Sequence, residues 1–133
     1  MTQIINGENA VLGRLASYVA KEAMKGEEMV VLNCEQVIIT GNKKNIREKF
    51  EEKRSKVGSG QKGPKHSRLD EKIVKRTIRG MLSNHRKGRG KEAYRRIKCH
   101  LGVPKEFQES KKMSINTGKK NKFIKVKDIS LSK

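Results

Sequence analysis

The sequence predicts an α/β domain with at least one parallel crossover, followed by a strongly basic segment. Three observations carry that prediction. An amphipathic helical pattern separates two short apolar runs, the second of those runs is unbroken by polar residues, and charge is divided very unequally along the chain. Residues 1–42 carry three basic side chains (Arg14, Lys21, Lys25) against five acidic ones, a net of −2. Residues 43–133 carry thirty basic against nine acidic, a net of +21.

Gln3 to Asn6 reads as a first strand closed by Gly7. Val11, Leu12, Leu15, Ala16, Val19, Ala20, Ala23 and Met24 then recur at i, i+1, i+4 and i+5, one broad apolar face of a helix. Asn9 is the expected N-cap and Gly26 the expected C′ residue. Met29-Val30-Val31-Leu32 is a strand to be covered on both faces. Val37-Ile38-Ile39-Thr40 is a further strand, ended by Gly41-Asn42. Strand, helix, strand, strand in this order argues for an α/β layer.

Past Asn42 the pattern turns cationic. Ile46, Phe50 and Val57 form a narrow stripe on a predicted helix otherwise covered by Lys43, Lys44, Arg47, Lys49, Lys53, Arg54 and Lys56. Ser55 to Ser67 is a glycine-containing basic loop. Asp70 would cap the next helix, whose Ile73, Val74, Thr77, Ile78, Met81 and Leu82 face a core. Lys72, Lys75, Arg76 and Arg79 fall at i, i+3, i+4 and i+7 and so share the outward face. A basic turn from Asn84 to Gly90 leads to a short helix through Ala93, Tyr94 and Ile97, then a strand from Lys98 to Leu101. From Lys105 onward the tail has nine Lys and three acidic residues, and is expected to order only on a partner.

Size and composition bound the function. A chain of 133 residues with mean hydropathy −0.83 and 4% aromatics supports one modest core. No run approaches roughly 18 apolar residues, no basic start leads into a signal-length apolar stretch, and no Trp is present for an interfacial helix, so no membrane partner is expected. Two cysteines 65 positions apart make no disulfide framework and fit a reducing, cytoplasmic compartment.

Gly7 and Gly13 bracket a strand-to-helix turn, but Arg14-Leu15 follow where a phosphate loop needs Lys and Ser/Thr, and the spacing misses the dinucleotide fingerprint. Cys34, His66, His85 and Cys99-His100 lack the paired spacing of a structural zinc site, so no metal is expected. Glu51-Glu52 and Asp70-Glu71 do not face one another on a helix and lie among cations, which lower carboxylate pKa values. No catalytic residue, cofactor or small-molecule substrate is indicated.

The basic constellation is the strongest signal. It comprises Lys62, Lys65, His66, Arg68, Lys72, Lys75, Arg76, Arg79, His85, Arg86, Lys87, Arg89, Arg95 and Arg96, candidate RNA-binding residues. Residues 43–100 hold 21 basic side chains against six acidic ones, an imbalance that a merely solvated face does not show. Such a surface matches a polyanion and would bind it in a steeply salt-dependent way. With so few aromatics, recognition by shape and phosphate position is expected rather than base stacking.

Several segments also carry a resemblance. Val11-Leu12-Gly13-Arg14-Leu15-Ala16-Ser17, Val30 to Glu35, Ile39-Thr40-Gly41-Asn42-Lys43 and Arg76-Thr77-Ile78-Arg79-Gly80-Met81-Leu82, with Lys98 and Gly102-Val103-Pro104, resemble the large-subunit ribosomal protein L-thirteen family. The short N-terminus and the Gly-Val-Pro ending are similar to its archaeal and eukaryotic branch. The resemblance runs from about Ile4 to Pro104. It implies a three-layer α/β/α domain over residues 1–104 with a small, mostly parallel sheet, its basic part at 43–100 facing RNA, and a basic C-terminal extension at 105–133. It further implies binding to large-subunit ribosomal RNA beside neighbouring large-subunit proteins, support of subunit assembly and stability, and no catalytic site or cofactor. The sequence departs from the family at Ser83, where Pro is usual. A free RNA-coating chaperone and a nucleotide-dependent RNA-modifying protein are the rival functions.

Overall fold

The computed structural model describes residues 2–115 and 122–130. Its architecture is a three-layer α/β arrangement around a small parallel sheet. Strand β1 (Thr2–Asn6) leads through α1 (Leu12–Met24) to β2 (Glu28–Leu32), and the two strands pair in parallel with Ile4 opposite Val30 and Ile5 opposite Val31. This is the crossover read from the sequence. Strand β2 is central, and Met29 to Leu32 are all buried, as an unbroken apolar run requires.

Helix α1 buries Leu12, Leu15, Ala16, Val19, Ala20 and Ala23. Its N-cap, however, is Val11 and not Asn9. Asn9 takes a left-handed conformation at φ 58°, inside a turn that spends the backbone amides of residues 7–10 on the protein itself. Gly26, at φ 103°, closes the helix as the expected C′ residue, with its N–H on the Ala23 carbonyl at 3.1 Å.

Strand β3 (Ile38–Thr40) departs from the parallel sheet. A left-handed Asn33 (φ 54°) and a single 3₁₀ turn at Cys34–Gln36 swing the chain aside, so Cys34 is buried on that turn and not on a strand. Cys34 and Cys99 are nonetheless neighbours and both free, and the Cys34 thiol donates to the Val31 carbonyl at 3.7 Å. The Cys99 thiol and then burial push the Cys34 pKa upward.

Helix α2 (Lys43–Ser55) is capped by Asn42, whose Oδ1 accepts the Lys44 N–H at 3.0 Å. It buries no residue fully, and Val57, expected on its apolar stripe, lies beyond it and is exposed. Helix α3 (Asp70–Met81) buries Ile73, Val74 and Ile78 against α1. Leu69 is its N-cap, and Met81 is exposed because the helix stops before Leu82, which turns inward at an extended ψ of 148°. Helix α4 (Gly88–Arg96) runs directly into β4 (Ile97–Cys99), which pairs in parallel with β2. The predicted strand thus begins one residue earlier, at the fully buried Ile97, and ends before His100.

The described part of the tail is built into the body, unlike the free extension expected from its charge. Strand β5 (Met113–Ser114) completes the sheet in the order β4-β2-β1-β5. Strand β6 (Phe123–Lys125) pairs antiparallel with β3, placing Ile124 opposite Ile39. The closing α5 (Val126–Ser130) buries Val126 and Ile129. Three apolar residues at 124, 126 and 129 are too few for a periodic signal, yet all reach the core. The tail segments 116–121 and 131–133 lie outside the described residues.

Candidate nucleic-acid interface

The basic constellation is held by three devices. The loop after α2 is pinched at Gly58 and Gly63, where a Cβ on Gly63 would lie 2.8 Å from the Gly58 Cα and 2.9 Å from the Val57 carbonyl oxygen. Glycine is therefore the residue that lets the two limbs touch. The far limb is tied down where Arg76 Nη1 donates to the Lys65 carbonyl at 3.4 Å and Ser67 Oγ accepts the Leu69 N–H at 3.1 Å. Helix α4 is brought in by Gly90, which packs so closely on the Ser83–Asn84 backbone that a Cβ has no room.

Together these elements enclose an open cleft of about 640 Å³. Its lining includes Phe50 from α2, Ile73 and Thr77 from α3, and Tyr94 from α4. Around it stand Lys53, Lys65, His66, Lys72, Lys75, Arg76 and Arg79, and no acidic residue lines it among the described residues. The cations use the ring faces as supports. Lys75 Nζ lies 4.8 Å from the Tyr94 centroid, and Lys53 and Arg54 lie 5.5 and 5.9 Å from that of Phe50.

Desolvation first, and crowded like charges second, set the electrostatics. His66 has its pKa lowered by partial burial, then by Arg76, Lys53, Arg54 and Arg79. His85, with its ring 6.2 Å from Tyr94, is lowered by desolvation, Arg79 and Arg86. Arg54 is lowered by burial and by Arg68, and its Nη1 donates to the Ile129 carbonyl at 3.2 Å. A field that disfavours adding a proton is one that favours an arriving anion.

Of the candidates from the sequence, Lys65, His66, Lys72, Lys75, Arg76 and Arg79 converge on the cleft. Lys62, Arg68, Arg86, Lys87 and Arg95 are exposed elsewhere on this basic part, and His85 stands beside Tyr94. Arg89 and Arg96 have a different use. Arg89 Nη2 donates to the Met24 carbonyl at 3.4 Å and Arg96 Nη1 to the Ala23 carbonyl at 3.1 Å, so both are tied to carbonyls at the end of α1, that of Ala23 also accepting the Gly26 N–H. Arg96 also lies 3.8 Å from Glu92. Sequence reasoning missed Phe50, Lys53 and Tyr94. Phe50 and Tyr94 looked like core positions, and the signal that could have found the first is the i, i+3 and i+4 placement of Lys53 and Arg54 after Phe50.

The Gly7 turn is arranged against nucleotide binding. Gly7 N–H donates to the Leu32 carbonyl at 2.8 Å, Glu8 N–H to Asn6 Oδ1 at 3.0 Å, Asn9 N–H to the Gln36 carbonyl at 3.2 Å and Ala10 N–H to the Gly7 carbonyl at 3.1 Å. These are the amides that a phosphate cradle would have to leave open. Among the described residues no group of three His, Cys, Asp or Glu could hold a metal ion, and no helix is long and apolar enough to cross a membrane.

The family model described as ribosomal protein L13 matches residues 1–106. The chain belongs to the ribosomal protein L13 family. The match takes in β1 through β4 and every element around the cleft. Similar proteins are named large ribosomal subunit protein uL13. That of Methanococcus maripaludis is 46% identical over 125 residues, covering 92% of this chain and 88% of the relative. That of Methanocaldococcus jannaschii is 42% identical over 132 residues, covering 96% and 93%. That of Methanococcoides burtonii is 35% identical over 132 residues, covering 96% and 94%. All three are archaeal, in keeping with the branch that the sequence of this L13-family chain resembles.

Proposed function

We propose that this chain is a structural constituent of the large ribosomal subunit, present on cytoplasmic ribosomes, which binds ribosomal RNA and supports subunit assembly and stability. The observation that carries this is the acid-free cationic cleft, with the exposed basic residues beside it, built from segments inside the stretch matching the L13 family. A compact α/β body fixes the backbone from which these cations project, so the array meets phosphates of a pre-shaped RNA without the chain first having to fold. Neighbouring large-subunit proteins are its expected protein contacts. The engaged amides of the Gly7 turn favour this over a nucleotide-dependent enzyme.

The test is charge reversal at Arg76 and Arg79 together. Both lie on the outer side of α3, away from its buried Ile73, Val74 and Ile78, so the variant is expected to stay folded by circular dichroism. It is expected to lose co-sedimentation with the large subunit, and each phosphate contact removed should flatten the salt slope of RNA binding by roughly 0.7–0.9. Wild-type association from the variant would overturn the assignment. A chain that merely coats RNA would be stripped by a high-salt wash, whereas a built-in constituent stays at one copy per subunit.

A further inference from the structure

We propose that the cleft between α2, the 65–67 loop, α3 and α4 receives a single unpaired nucleotide of its RNA, with the base on the Phe50–Ile73–Tyr94 lining and the flanking phosphates on the cationic rim. This rests on the RNA-binding function proposed above and sharpens it. A duplex offers a convex ridge of phosphates and needs only a flat or gently curved basic face. It has no use for a hole, and none for aromatic rings lining one.

The site found here is concave, about 640 Å³, and combines an apolar lining with seven surrounding basic side chains, Lys53, Lys65, His66, Lys72, Lys75, Arg76 and Arg79. That volume falls within the range of small-ligand sites. Aromatics are 4% of the chain, so two of them lining one basic cleft are a concentration that composition alone does not predict. Unpaired bases in RNA loops and bulges are taken by aromatic rings with their phosphates on nearby cations. The same pattern is set out here. In the free protein Lys75 rests over Tyr94 and Lys53 over Phe50, at 4.8 and 5.5 Å, which keeps both ammonium groups close to where the phosphates would lie. Both sit on flexible stems, so each leaves its ring when a phosphate arrives and the base takes the vacated face. The expectation of shape-only recognition, drawn from the low aromatic content, is thereby revised for this cleft.

The experiment compares two short RNA hairpins of identical length, one fully paired and one carrying a single bulged 2-aminopurine, binding to the full-length protein at fixed salt. The bulged hairpin is expected to bind about tenfold tighter, and its fluorescence to fall as the base stacks. Tyr94→Leu, which keeps an apolar side chain against the core, is expected to lose the preference for the bulge, so that the two hairpins bind it with equal affinity. Should that variant fail to fold, the wild-type fluorescence change decides alone, with 2-aminopurine placed in the stem as its control. Equal, salt-dependent affinity for both hairpins with no fluorescence change overturns the nucleotide site and leaves the RNA-binding surface standing. Failure to bind either hairpin overturns both.

Discussion

Ile124→Ala offers the sharpest test of how this molecule is assembled, because it sits in a segment whose charge suggests a free tail. Ile124 lies on β6 opposite Ile39, is 1% exposed, and has Val126 and Ile129 buried beside it. The change removes three side-chain carbons, about 2.4 kcal/mol at roughly 0.8 kcal/mol per buried carbon. A cavity that relaxes only in part raises the cost to about 3–4 kcal/mol. For 133 residues at about 2.1 cal/mol/K each, the unfolding entropy is about 0.28 kcal/mol/K, so Tm should fall by about 11–14 °C. The assay is thermal and urea unfolding of the isolated protein, without RNA, followed by far-UV circular dichroism. Lys122→Ala, an exposed neighbour, serves as control and should shift stability by less than about 0.5 kcal/mol. A Tm within about 2 °C of wild type for Ile124→Ala would refute the packing of the tail in the free protein.

Three further outcomes are expected. The lowered pKa of His66 means that the unfolded chain binds a proton there more readily than the folded one, so stability should rise with pH on approaching the ordinary histidine pKa of about 6.5 and be lost as pH falls below it. His66→Gln should flatten that part of the urea midpoint against pH, and bound phosphates should reverse the sign by making a protonated His66 welcome. Gly90→Ala drives a Cβ into the Ser83–Asn84 backbone and should cost at least about 1–3 kcal/mol in urea unfolding, whereas Gly13→Ala on α1, with nothing within 4 Å, should be neutral or stabilise by up to about 1 kcal/mol. Native protein treated with iodoacetamide at neutral pH should be alkylated at the partly exposed Cys99 well before the buried Cys34, whose raised pKa suppresses its thiolate; peptide mass spectrometry reads the order.

Much of the site was legible because α3 is amphipathic in the plainest way. Ile73, Val74 and Ile78 had to face inward, which left Lys72, Lys75, Arg76 and Arg79 on the other side whatever the rest of the fold did. What spacing could not show is that a pinched loop places Lys65 and His66 against that helix, or that Phe50 and Tyr94, far apart in sequence, line the same cleft. Arg89 and Arg96 carry the same charge as their neighbours, and only the nearness of α4 to the end of α1 diverts them to its carbonyls.

By itself the sequence determined the local elements, the parallel β1–α1–β2 crossover and the segregation of charge, because each is set by neighbouring residues and by the periods of helix and strand. The tertiary structure decided which strand β3 joins, where the tail's isoleucines go and how basic side chains from three segments surround one cleft. Those outcomes depend on contacts between residues distant along the chain, and hydrophobic periodicity records which face of an element is buried, not what buries it.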